Sequence, residues 1–314
     1  MRSGSTQHEM RPSASYCSPL TSACDRAAAS LIPLRHAVAA MPGRLRTAAL
    51  PCVVLFSFLV PASAAPVGGT SCPAAYGAPV RVSGVNDFGD LLLADGRTLR
   101  LAALVVASGE PSARAEFRAM LIREAAGREI EIASASPAPD RYGRLVGLAR
   151  LPGHDDAGAA GLQRRALGEG VAVALPEPGY LGCMAALLEA EGPARVARRG
   201  LWRNLPIDAR DKDALRAQAG HFTILEGRVA GVGNGRAVDY LNFGRVWRQD
   251  ATLRMTHDSR AALEDTGVAV GDLAGRVVMA RGVVFEAGGP AIDIRWAEQV
   301  ELRPRVTDEQ AGNW

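Results

Sequence analysis

Lysine is almost absent from this chain. Lys212 stands alone among 36 basic residues, so the positive charge is carried by arginine. Net charge is also small. The formal +3 is misleading, because six of the 36 basic and two of the 33 acidic residues fall in positions 1–65, leaving 30 against 31 in the remainder. A surface that binds a polyanion must therefore cluster arginines locally, since the bulk charge supplies no steering. No Cys/His spacing matches a zinc site. The one glycine-rich run, Gly231 to Gly235, has no following Lys-Ser/Thr and no helix after it, so it reads as a hairpin turn at Asn234-Gly235 rather than a phosphate loop. No internal repeat is visible in the residues.

Long hydrophobic runs are missing as well. The strongest, Ala48 to Val60, is too short to cross a bilayer as a helix. It follows a short basic stretch, Met41 to Arg46, and precedes the small-residue pattern Ala62-Ser63-Ala64, which is the layout of a secretory signal peptide. Residues 41–65 are accordingly read as a leader, residues 1–40 as an extension from a mis-assigned start, and the processed chain as exported, periplasmic or secreted, without a membrane span. Of five cysteines, Cys72 and Cys183 lie beyond the leader. In an oxidising compartment they are expected to form one disulfide.

Beyond the linker at residues 66–79, the pattern turns to strands and helices. Val80–Val85 alternates as a strand. Leu91–Ala94 and Thr98–Val106 form two more around Asp95-Gly96, a strong hairpin signal. A helix follows, with Phe117, Met120, Leu121 and Ala125 at helical spacing on one face. Residues 128–133 and 145–151 read as strands on either side of a turn, Asp140-Arg-Tyr-Gly-Arg144. Helices are expected over 162–167 and 181–199, Pro193 kinking the second or marking a break in it, then a connector over 204–220. Residues 221–303 read as a small all-β domain and 304–314 as a disordered tail. Tyr240, Phe243 and Trp247 read as its core in preference to a base-stacking platform. The fold class expected is α+β: a five-stranded OB-type β-barrel with three helices, then the smaller all-β domain.

Three motifs, in this order and spacing, carry a resemblance: the hairpin DG-x-x-x-RL (Asp95, Gly96, Arg100, Leu101), the segment DRYGR at 140–144, and the closing Gly200-Leu201-Trp202 after Arg198 or Arg199. From about Val80 to Arg203 the chain resembles the staphylococcal-nuclease-like (thermonuclease) family, and residues 221–302 resemble a β-rich C-terminal extension of some bacterial relatives. The resemblance implies phosphodiester hydrolysis with calcium held by carboxylates, a glutamate base, and two arginines that stabilise charge on the phosphate. It places Arg100 and Arg144 at the arginine positions, with Arg141 and Tyr142 beside the substrate, and Asp87 at the first carboxylate position. The other carboxylate positions fall on Gly89, Val105 and Ser108, none of which can ligate calcium through a carboxylate or act as a base at neutral pH. A shift of register would offer Asp90 as a metal ligand and Glu110 as the base, although a one-residue shift in a strand turns a side chain to the opposite face. Arg144 pairing with Asp140, and Tyr142 serving as packing, are the structural alternatives.

Three functions follow as expectations. The first is an exported protein that binds nucleic acid or another phosphate-bearing ligand through a degenerate calcium/glutamate site. The second is an active phosphodiesterase using Asp87, Asp90 and Glu110. The third is a structural or partner-binding envelope protein.

Overall fold

A computed structural model of the chain describes residues 71–107, 111–153, 161–246 and 250–303. The expected leader and the extension expected before it, the residues after 303, Glu110 and Trp247 lie outside the described residues. Among the described residues no helix is long and apolar enough to cross a membrane.

The first half is a closed barrel. Its strands are β1 (Val80–Val85), β2 (Leu91–Leu93), β3 (Thr98–Leu101), β5 (Glu129–Ala133) and β6 (Leu145–Arg150), in the order β1-β2-β3-β6-β5, with β1 paired to β5. A two-residue β4 (Leu104–Val105) leaves the barrel to pair with β7 (Val173–Ala174). The single strand expected over 98–106 breaks because Ala103 takes a left-handed φ of 56°. Apart from β3 and β6, which run parallel, the barrel neighbours are antiparallel. A parallel pair needs a long crossover, and α1 (Pro111–Ala125) lies within it. The helix buries Phe117, Met120, Leu121 and Ala125, the face that its spacing marks. Two further helices, α2 (Gly161–Glu169) and α3 (Met184–Val196), pack together on the barrel. Pro193 lies within α3, which runs three residues beyond it. Cys72 and Cys183 form a disulfide that closes 111 residues of chain.

The second half contains β8 (Ile207–Asp208), α4 (Lys212–Ala217), β9 (Phe222–Arg228), β10 (Gly231–Gly233), β11 (Val238–Asn242), β12 (Thr252–Thr256), α5 (His257–Glu264), β13 (Val277–Glu286), β14 (Pro290–Ile294) and β15 (Val300–Leu302). The region is not all-β. Thr256 caps α5, its hydroxyl accepting from the N–H of Ser259, and Asp258 lies in the first turn. The connector contributes too, because β8 pairs with β9.

The second sheet runs β10-β11-β12-β14-β13-β9-β8, with β15 also paired to β13. Two of its strands, β9 and the terminal β10, are separated by only two residues of chain. The sheet therefore curls back to one bent segment, Phe222 to Gly233. With β9 and β10 counted as one bent strand and the short β8 and β15 set aside, the third strand, β12, again runs parallel to the fifth, β14, and a helix follows the third strand. Both halves thus follow the same path: three strands, a helix, two strands, with a parallel third–fifth pair. The repeat is one of topology and left no trace in the residues.

A third apolar cluster joins the halves, with Ala107, Val173, Ala194 and Trp202 packed against Ile224 and Met279. Beside it lies a buried ion pair. Arg281 of β13 and Glu191 of α3 are both wholly buried. The guanidinium donates from Nη1 and Nη2 to the two carboxylate oxygens at 3.1 Å each, and to the carbonyl of Ala174 at 2.9 Å.

Candidate phosphate-binding site

The turn before β2 sets the geometry. Asn86 Oδ1 accepts from the N–H groups of Phe88 and Asp90, and the N–H of Gly89 donates to the carbonyl of Asn86. Gly89 closes this turn at φ 83°, and a Cβ there would lie 2.8 Å from the Phe117 ring. The turn re-aims the chain. Asp90, which a one-residue shift in a regular strand would turn away, instead lines the cavity at the mouth of the first barrel.

That cavity, of about 280 Å³, is lined by Asp90, Arg100, Arg114 and Arg144 over an apolar wall that includes Leu104, Val105 and Phe117. Arg100 comes from β3, Arg144 from the turn before the parallel partner β6, and Arg114 from the first turn of α1. Asp90 is the one carboxylate among the described lining residues. Val105 lines the cavity where the resemblance places an acid.

Two of the three arginines are already engaged. Arg144 donates to Asp90 at 3.2 Å and to Asp140 at 2.8 Å. Burial pushes the Asp140 carboxyl up. The N–H and guanidinium of Arg144 and the N–H of Tyr142 pull it further the other way, so it stays below the ordinary carboxylate range. Burial disfavours the charge of Arg144, yet Asp140 and Asp90 raise its pKa above the usual arginine value. Arg100 pairs with Glu177, whose other oxygen accepts from the N–H of Ala103 at 2.9 Å. Glu177 thus ties Arg100 to the left-handed residue that ends β3. Arg114 is exposed and has no ion-pair partner among the described residues.

The remaining expected residues fall outside this set. Asp87 points to solvent, its side chain 96% exposed and its carboxylate 3.6 Å from Arg118. Tyr142 is exposed rather than packed, with the guanidinium of Arg141 4.7 Å and that of Arg144 5.1 Å from its ring centre. Glu110 lies outside the described residues. A calcium ion wants six or more oxygen ligands. Asp87 turned to solvent and Asp90 held by Arg144 and Asn86 do not supply such a set. Among the described residues no group of three or more His, Cys, Asp or Glu side chains comes together that would hold a metal ion.

The sequence reading missed Arg114 and Glu177. Arg114 had a signal, since it precedes Phe117 by three residues and so shares its helix face. Glu177 had none, being 77 residues from Arg100 in a Pro-Glu-Pro loop. No protein-family model and no curated protein matches the chain.

Proposed function

We propose that this is an exported protein of staphylococcal-nuclease-like fold that binds nucleic acid or another phosphate-bearing ligand at the barrel mouth, and that its hydrolytic site is degenerate. The observation that carries this reading is the convergence of Arg100, Arg114 and Arg144 on one cavity whose one carboxylate among the described lining residues, Asp90, is bound to Arg144. Guanidinium groups match phosphate oxygens in charge and in fork geometry. Hydrolysis needs a carboxylate left over to activate water. Asp90 is spent on Arg144, and Val105 has no oxygen to offer. The Cys72–Cys183 disulfide supports an oxidising compartment.

A second reading, an active phosphodiesterase with shifted carboxylates, draws on the placement of Asp90 in the cavity. One experiment separates the two. Single-stranded DNA and RNA are incubated with the protein in calcium and then in chelator, and binding is measured across a salt series. The binding reading expects salt-dependent affinity without cleavage. Calcium-dependent cleavage that disappears in Arg100→Ala overturns it in favour of the enzyme. Absence of any salt-dependent affinity removes both.

A further inference from the structure

A larger cavity, about 500 Å³, lies between the first barrel and the second sheet. It shares no lining residue with the arginine cavity, and the two flank the same helix: Arg114 and Phe117 line one, Ser112, Ala113 and Glu116 the other. Two independent features mark its chemistry. The first is the start of α1, a 15-residue helix with no acidic residue in its first turn. The N–H of Ala113, in the first turn after Pro111 and Ser112, has no partner within the helix and lies at the positive end of its dipole. The second is Thr223 of β9. It lines this cavity, is 1% exposed, and its hydroxyl has no hydrogen-bond partner. A buried hydroxyl left unpaired is destabilising, and most such groups in folded proteins are satisfied.

We propose that this cavity binds an oxyanion of the phosphate class, which accepts a hydrogen bond from the Thr223 hydroxyl beside the N-terminus of α1. Arg203, which has no ion-pair partner among the described residues, and His221 stand on the lining as further donors. Glu116 is the one carboxylate among the described lining residues and works against the anion, which favours modest affinity. A bound anion would satisfy Thr223 and lie against both halves of the molecule at once. This site does not depend on the function assigned to the arginine cavity.

The test titrates inorganic phosphate into the full chain, reading amide resonances by NMR and thermal unfolding. Phosphate is expected to shift the amide signals of Ala113 and Thr223 and to raise the melting temperature. Thr223→Val, nearly isosteric, should bind roughly tenfold more weakly, as expected for loss of one hydrogen bond to a charged group. Glu116→Gln should bind more tightly. Arg100→Gln combined with Arg144→Gln should leave these shifts in place, which separates this site from the other cavity. Unmoved Ala113 and Thr223 signals, or phosphate binding in Thr223→Val equal to wild type, overturns the proposal. Arg203→Gln, a surface change, serves the same purpose if Thr223→Val fails to fold. Competition with a short oligonucleotide, with and without a 5′-phosphate, then identifies the source. Displacement by the phosphorylated form alone assigns a strand terminus, and displacement by neither assigns free phosphate.

Discussion

Arg100 and Glu177 form an ion pair at the barrel mouth although 77 residues separate them, and the same carboxylate anchors the N–H of Ala103. Glu177 therefore does two jobs, fixing the end of β3 and neutralising an arginine that the proposed ligand needs. The pair is only partly buried, so a phosphate can compete with it. Glu177→Gln keeps an acceptor for Ala103 and removes the charge. It should tighten binding of a single-stranded oligonucleotide several-fold while lowering stability by about 1–2 kcal/mol. Arg100→Gln should weaken binding about tenfold or more. Calorimetric titration and urea denaturation of both variants check this, and unchanged affinity in Glu177→Gln would show that the pair does not face the ligand.

Arg114 is the arginine of the cavity that no carboxylate holds among the described residues. Each phosphate neutralised on a single strand contributes about 0.7 to the slope of log affinity against log salt. Arg114→Ala should reduce that slope by about one such contact and leave folding unaffected. An unchanged slope would remove Arg114 from the binding surface.

Gly89 limits how far hydrolysis can be restored by a single change. An aspartate there would adopt φ 83°, and its Cβ would meet the buried Phe117 ring at 2.8 Å. Gly89→Asp should cost about 2–4 kcal/mol from backbone strain and displaced packing. It should also yield no cleavage activity. A stable Gly89→Asp protein that cuts DNA would disprove this account of the turn.

What was legible in the sequence follows range of interaction. The Asp95-Gly96 hairpin and the buried face of α1 are set by neighbours a few residues apart, and they emerged from spacing alone. The α5 cap at Thr256 was equally local but was hidden by the strand-like residues around it. Glu177, the Arg281–Glu191 pair and the topological repeat rest on contacts far apart in sequence, which no local pattern encodes. The turn at Gly89 lies between these cases. Glycine signals a turn, but only the ring of Phe117 shows why the side chain is excluded.

Two carboxyls give the fold an acid limit. Burial raises Asp140, but the Arg144 N–H and guanidinium bring it below its ordinary value. Burial raises Glu301 likewise, and Arg281 with Arg195 brings it down. A carboxyl depressed in the folded state contributes stability that is complete above its unfolded pKa, near 4, and is lost as pH falls through the depressed value. Stability should therefore hold from neutral pH to about 4 and decline below it. Asp140→Asn and Glu301→Gln should each lower stability at neutral pH and flatten the decline, as followed by denaturation between pH 2 and 7. A slope unchanged in both variants would show that other groups control it.

The buried pair between the halves supplies the sharpest stability test. Arg281 is wholly buried, held by Glu191 on one side and Glu301 on the other, while its Nε has no partner. Removing one member of such a set leaves the others charged in a medium that solvates them poorly. Glu191→Ala should therefore cost about 3–5 kcal/mol. It also strips an acceptor from the N–H of Ala174 in β7. Replacing the pair together, Arg281→Met with Glu191→Leu, removes the desolvation penalty along with the attraction, but it strands Glu301 less severely because Arg195 still holds that carboxylate at 2.8 Å. The double variant should then be more stable than Glu191→Ala alone, a difference that denaturation curves resolve. If both lose equal stability, the interface depends on the apolar contacts of Trp202 and Met279, and the ion pair contributes only register between the two halves.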